Sequence, residues 1–196
     1  MPLLHLILVA VIQGLTEFLP ISSSGHLILL PQLSGMDDQG QMIDVAVHVG
    51  TLFAVVLYFR QDVGEALVGL GRLVRGKADT QGARVALGLI VGTIPVMAAG
   101  LILHETGLDQ ALRSVAVIGW TMLIFGLVLY WADQKAPEYK TIANWGLRDA
   151  IIMGFWQAVA LIPGTSRSGI TITGGRQLGY TREEAARIAM LMSIPT

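Results

Sequence analysis

The chain has 196 residues, 53% hydrophobic and only 14% charged, with a formal net charge of −1 and no cysteine. Soluble domains carry about a quarter charged residues, so an integral membrane protein is expected, in keeping with a mean hydropathy of +0.63. Disulfide frameworks and thiolate chemistry are excluded, and the near-zero net charge makes no case for a nucleic-acid partner. The 23 glycines suit close-packed membrane helices. No basic segment follows Met1 and no small-x-small site follows the first apolar run, so a cleavable signal peptide is not expected.

Residues 3–12 are apolar but too short to cross a bilayer, which takes about 20 helical residues. They run into Gln13-Gly-Leu-Thr-Glu-Phe-Leu-Pro-Ile-Ser-Ser-Ser-Gly-His26, a stretch with a carboxylate, four hydroxyls, an amide and an imidazole. Residues 27–30 are apolar again before Pro31. A re-entrant helical hairpin over 3–33 accounts for this pattern, with its polar elbow buried in protein or lining a wet cavity. A single spanning helix kinked at Pro20 is the plainer alternative. Residues 34–44 read as a polar connection and 45–59 as a span ended by Arg60. A loop over 61–84 follows, with a surface helix around 63–74. The next span is 85–103, with Pro95 inside it, followed by a polar turn over 104–113. The clearest span is 115–132, uncharged and ending in the interface anchors Tyr130 and Trp131. Residues 133–148 are polar, 151–162 form a second short apolar arm, and Pro163-Gly-Thr-Ser-Arg-Ser-Gly169 forms a second elbow. That makes a second hairpin over 147–180. Thr181, with Glu183 and Glu184 after it, predicts a helix start. A further span is expected from Ala185, unfinished at Thr196.

Basic residues orient these spans. Arg60, Arg72, Arg75, Lys77 and Arg84 mark one loop, Lys135, Lys140 and Arg148 a second, and Arg176, Arg182 and Arg187 a third. The positive-inside rule assigns all three to the cytoplasm. The first hairpin then enters from the outer side and the second from the inner side. A shift of 144 residues aligns Gln13 with Gln157, Ser22 with Ser166, Ser24 with Ser168, Gly25 with Gly169 and Ile28 with Ile172. The expected fold is therefore an all-α polytopic membrane protein of one domain, 1–196, with an inverted-topology repeat. Repeat one covers about 1–104 and repeat two about 114–196, the latter incomplete at the C-terminus, and the two re-entrant hairpins meet at a midplane active site.

Ionisable groups at membrane depth point to function. Arg167, between two serines in a glycine-flanked turn, matches phosphate oxygens through its planar fork, and the following helix N-terminus favours an anion; an arginine snorkelling to the interface is the alternative. Ser23 and His26 suit a nucleophile and base, or a relay, in phosphoryl transfer; helix-capping serines and a packed histidine are the alternative. Gln13 and Glu17 are four residues apart, on one helix face, and an oxygen pair of this kind suits Mg²⁺ or Ca²⁺. Glu17 pairing with Arg167, or orienting His26, stays open beside that. Gln13, Ser22, Ser24, Gly25, Thr165, Ser166, Ser168 and Gly169 complete the expected substrate-binding set. His48 and His104 are read as structural, and Asp149 as a local charge pair with Arg148.

Together the two motifs resemble the undecaprenyl-diphosphate phosphatase family, also known for bacitracin resistance, and the match runs in order through Gly50, Thr51 and Ala54. The resemblance implies a bacterial plasma (inner) membrane enzyme, open to the periplasmic face, that cleaves one phosphate from a C55 prenyl diphosphate. It implies a divalent cation, with the acidic motif on Gln13 and Glu17, the serine/histidine motif on Ser22, Ser23 and His26, and the arginine motif on Ser166, Arg167 and Ser168. The family's first acidic position is Gln13 here, and family members continue beyond the length of this chain. Bacitracin would compete for the lipid substrate, and a homodimer is compatible with the reading. The rival class is a lipid-phosphate or anion carrier, which inverted repeats with midplane hairpins also suit; a structural membrane subunit is a weaker third.

Overall fold

The computed structural model describes residues 2–35, 37–108, 112 and 114–196. Of the expected 104–113 turn, residues 109–111 and 113 lie outside the described residues. Nine α-helices are described: α1 (Leu3–Thr16), α2 (Ser23–Ser34), α3 (Gln41–Tyr58), α4 (Arg60–Val74), α5 (Gln81–Thr106), α6 (Val115–Lys135), α7 (Leu147–Val159), α8 (Arg167–Gln177) and α9 (Arg182–Met192). A 3₁₀ turn at Ile142–Asn144 precedes α7. By length and composition α3, α5 and α6 are each able to cross a membrane. They leave large apolar side chains exposed, among them Phe53, Leu101, Trp120 and Leu127. In water such a surface would drive association; in lipid it is matched, and this is a membrane protein.

The short helices pair off. α1 leads through residues 17–22 into α2, and α7 leads through 160–166 into α8. The starts of α1 and α7, and of α2 and α8, are each 144 residues apart. The caps recur as well. Ser22 Oγ accepts from the Gly25 N–H at 3.3 Å, and Ser166 Oγ accepts from the Gly169 N–H at 3.1 Å. Each satisfies one of the orphan donors of a helix start. α2 runs past Pro31 to Ser34, further than the sequence suggests. Pro31 leaves the Leu27 carbonyl without its helical donor, and the Gln39 side chain fills that place at 3.2 Å.

Two packing features hold the frame. A core of Val85, Leu89, Trp145, Met153, Tyr180, Ile188 and Met192 fills the space between α5, α7 and α9. Glycines let helices close: a Cβ on Gly154 would land on the Gly92 carbonyl oxygen, and one on Gly69 would strike the backbone of Gly82 and Ala83. α4 is the expected surface helix, laid along α5 with only Gly69 buried.

The basic loops differ from expectation in two ways. Arg176 is not a loop cation; it sits in α8, 1% exposed, and donates to the carbonyls of Tyr180 (2.6 Å), Asp133 (3.0 Å) and Ala136 (3.2 Å). Its charge is matched by Asp133 and Glu138, so it ties the end of α6 to α8. Asp149 does not pair with Arg148; it takes Lys140 Nζ at 2.8 Å and the Tyr180 hydroxyl at 2.7 Å. The Thr181 cap holds, with the Glu184 N–H at 3.3 Å, but α9 stops at Met192 short of a full span, three residues before Pro195.

Burial first, and then the hydrogen bond to Asp149, push the Tyr180 hydroxyl well above its ordinary value near 10. A raised value in the folded state means that the unfolded chain ionises first. The associated stability is complete below pH about 10 and declines as the pH rises beyond it. Thermal unfolding followed on either side of that pH should show the decline in the native chain and a flatter profile in Tyr180→Phe.

Candidate active site

Glu17 stands at the C-terminal end of α1, where the chain leaves the helix, and four side chains converge on it. Arg167, the first residue of α8, donates from Nη2 to Oε1 at 2.6 Å. Ser23, the first residue of α2, donates from Oγ to Oε2 at 2.5 Å. Gln13, one turn earlier on α1, donates from Nε2 to the same oxygen at 3.1 Å. From α3, His48 Nε2 approaches it to 3.8 Å. One carboxylate thus ties the first elbow to the second across 150 positions of sequence.

The elbows also touch through their backbones. A Cβ on Gly169 would meet Pro20 Cβ at 3.1 Å and the Pro20 carbonyl oxygen at 3.3 Å. Ser168 Oγ reaches the Glu17 and Leu19 carbonyls, each at 3.4 Å. α6 braces both from behind. Thr121 Oγ1 donates to the Pro163 carbonyl at 2.6 Å, and Gly164, at φ +88°, sits so close to Ile118 and Thr121 that no side chain would fit. Gly25 packs on Ile118 and Met122 of the same helix. Ser22 takes φ 59°, the one left-handed residue other than glycine among those described. Such strain persists only where the surroundings hold it; here the Ser22 carbonyl accepts from His26, whose Nδ1 lies 2.8 Å away.

Two adjoining cavities share this cluster. The smaller, about 110 Å³, is lined by Thr16, Glu17, Ser22, Ser23, Ser24, His48, Ala160, Thr165, Ser166, Arg167 and Ser168. Thr165 Oγ1 and Arg167 Nη1 are buried donors that have no hydrogen-bond partner among the described residues. Buried polar atoms are normally satisfied, so unpaired donors beside a polar cavity mark a place for an anion. The larger cavity, about 490 Å³, shares Glu17, Ser24, His48 and Arg167 and continues along Leu27, Ile28, Val45, Val49, Leu52 and Val55. One part is polar, with Glu17, Asp44, His48 and Arg167, and another is largely aliphatic, with Gln41, Thr51, Ser193 and Thr196 also in the lining.

Every expected motif residue lies on the two elbows, but not every one reaches the cavities. Gln13 is fully buried beside Glu17 rather than lining either cavity. Gly25 and Gly169 shape the elbows. His26 lines neither cavity; His48, read from sequence as structural, lines both. Thr51 also belongs to the cluster, accepting from Gln13 Nε2 at 3.4 Å. The signal was present: Asp44, His48 and Thr51 are spaced four and three apart, a polar stripe on one face of an otherwise apolar span.

A divalent cation can be tested against this donor set. Among the described residues, no three His, Cys, Asp or Glu converge, so protein side chains alone do not complete a coordination shell. Gln13 Oε1, however, is buried with no partner among the described residues, while the Nε2 of the same amide lies on the Glu17 carboxylate. Hard cations are commonly held by one or two protein oxygens with substrate phosphates completing the shell, and Gln13 with Glu17 fits that arrangement.

Residues 6–196 match the family described as Bacitracin resistance protein BacA. The chain belongs to the BacA family. It is 74% identical over its whole length to an undecaprenyl-diphosphatase of Dinoroseobacter shibae, covering 73% of that protein. It is 69% identical, with the same coverage, to one of Ruegeria pomeroyi, and 50% identical to one of Teredinibacter turnerae, covering 74% of it. Both elbows and all three apolar spans fall within the stretch that matches the BacA family.

Proposed function

We propose that this chain hydrolyses undecaprenyl diphosphate to undecaprenyl phosphate and inorganic phosphate, returning the carrier lipid to peptidoglycan synthesis and so conferring bacitracin resistance. The observation that carries the reading is the joined pair of cavities: unpaired donors of Arg167 and Thr165 at a polar end, continuous with an aliphatic groove. A lipid diphosphate has the same two parts. The names of the relatives agree with it.

In this reading Arg167 serves two partners. Nη2 holds Glu17 while Nη1 is free for a phosphoryl oxygen, so substrate enters without breaking the ion pair. Fixed donors aimed at charge that grows in the transition state are the main catalytic resource of such a site. Ser22, Ser24, Ser166 and Ser168, with the N–H groups that begin α2 and α8, line the anion's surroundings. Ser23 Oγ attacks the terminal phosphorus and its proton passes to the Glu17 carboxylate, to which it is already hydrogen-bonded. A phosphoserine forms as the bond from phosphorus to the bridging oxygen breaks, and undecaprenyl phosphate leaves with that electron pair. Glu17 gives up its proton to the departing group or to solvent. It then takes a proton from water as the water attacks phosphorus; the bond from phosphorus to Ser23 Oγ breaks, and Glu17 hands that proton to Oγ as inorganic phosphate leaves. His26 holds the strained Ser22 carbonyl and so positions Ser23. A divalent cation held by Gln13 and Glu17, Mg²⁺ or Ca²⁺, would neutralise charge on the diphosphate.

The repeated helix starts and caps, together with the basic loops, support two oppositely inserted halves. The site then lies near the midplane of a bacterial inner membrane and opens to the periplasmic face, where bacitracin competes for the same lipid. Phosphate release from a prenyl diphosphate by purified protein in detergent tests the function. Ser23→Ala should lower kcat by at least about 100-fold with little change in KM, and labelled phosphoenzyme trapped by acid in the native chain should be missing. A labelled intermediate that survives in Ser23→Ala would move the nucleophile to another residue, with His26 the next candidate.

A further inference from the structure

His48 presents an arrangement that the scheme above does not use. Its Nδ1 lies 2.7 Å from the Asp44 carbonyl oxygen. A carbonyl only accepts, so Nδ1 carries the hydrogen, and in that neutral tautomer Nε2 presents its lone pair. What it faces is Glu17 Oε2, 3.8 Å away. That is too long for a hydrogen bond. At this separation a metal ion fits between the carboxylate oxygen and the Nε2 lone pair of the neutral ring, where a protonated ring would pair with the carboxylate directly. Metal–ligand bonds of about 2.1 Å to nitrogen and oxygen span ligand separations from about 3 to 4.2 Å, depending on angle, and 3.8 Å lies inside that range. The Nδ1–H on a backbone carbonyl is the orienting bond that commonly stands behind a metal-bound histidine. Gln13, whose Nε2 holds the same Glu17 oxygen, has its Oε1 buried with no partner among the described residues.

We propose that His48 Nε2 and Glu17 Oε2 together bind the divalent metal, with Gln13 Oε1 as the third protein ligand and diphosphate oxygens and water completing the shell. The last part rests on the phosphatase reading; the protein ligands do not. An imidazole in a mixed nitrogen and oxygen set selects a first-row divalent metal over Ca²⁺. The second turn of α3 thereby becomes part of the catalytic centre, although the family motifs lie only on the two elbows.

Mn²⁺ is the probe, added alone and with inorganic diphosphate to purified protein in detergent. Three-pulse electron spin echo spectra should show modulation from a directly bound imidazole nitrogen. The modulation should persist in His26→Ala and vanish in His48→Ala, where Mn²⁺ affinity should fall about tenfold or more. Free imidazole added to His48→Ala should bring the nitrogen signal back, which a misfolded variant would not do. Bound Mn²⁺ without nitrogen modulation in the native chain, an unchanged spectrum in His48→Ala, or no Mn²⁺ binding even with diphosphate would overturn the assignment. Phosphate release from the same preparation, supported by Mg²⁺, reports on the phosphatase reading separately. Release without a nitrogen signal removes His48 and leaves the enzyme, and a nitrogen signal without release does the reverse.

Discussion

Arg167→Lys is expected to lower phosphate release from a prenyl diphosphate by about 100-fold or more, the scale on which losing one preorganised charge-stabilising donor is felt. The variant keeps the positive charge, so a purely electrostatic role would survive it. The geometry asks for more than charge. Nη2 is committed to Glu17 Oε1 at 2.6 Å, and Nη1, a separate nitrogen on the same rigid plane, is buried and unpaired among the described residues. A lysine ammonium is one compact centre on a flexible stem and cannot hold both partners in fixed directions. It would either stay with Glu17 and leave the phosphate unheld, or follow the phosphate and release Glu17 from its place beside Ser23. Steady-state kinetics distinguish these outcomes: the first raises KM, the second lowers kcat. Turnover within a few-fold of the native chain would show that Arg167 contributes only a diffuse field.

Gly154→Val should have the largest effect on the fold. α5 and α7 carry the main interface of the bundle, and they are closest where Gly154 faces Gly92. A Cβ on Gly154 would land on the Gly92 carbonyl oxygen and within 3.0 Å of Pro95 Cγ. Neither neighbour is the tip of a flexible side chain, so the helices would have to part. Overpacking of this kind costs about 3 kcal/mol or more, and helices in lipid depend on such close approach because water does not drive them together. Heating in detergent followed by size-exclusion recovery should show a marked loss of folded protein. Gly119→Ala on α6, where a Cβ meets nothing within 4 Å, should melt no lower than the native chain. If both variants behave alike, the contact between α5 and α7 is looser than its geometry implies.

How much of this was legible in the chain depends on the range of the interaction. The apolar spans were readable because lipid imposes length and hydropathy on each helix separately, and α6 came out close to its expected limits. The elbows were readable because serine, glycine and proline act on neighbours three residues away, as the Ser22 and Ser166 caps do. Arg176 was misread as an inner-loop cation because its partners, Asp133 and Glu138, are about forty residues distant; nothing local distinguishes a cation facing water from one locked under a helix end. The surface helix around 63–74 was legible and is α4, but its seat was not: Gly69 fits against the backbone of α5 at Gly82 and Ala83.

By itself the sequence determined the class of molecule, the approximate spans, the two polar elbows and the family, since each is written in local composition or in contiguous motifs. The tertiary structure alone decided which groups share an oxygen. It brought Arg167 and Ser23 to the two oxygens of Glu17, left His26 supporting Ser22 instead of facing the cavity, and set His48 in the position where an imidazole was expected. Those outcomes turn on distances of a few ångströms between separate helices. Such distances are set by how closely glycines such as Gly154, Gly164 and Gly169 let backbones approach, a property of paired surfaces that no single stretch of chain carries.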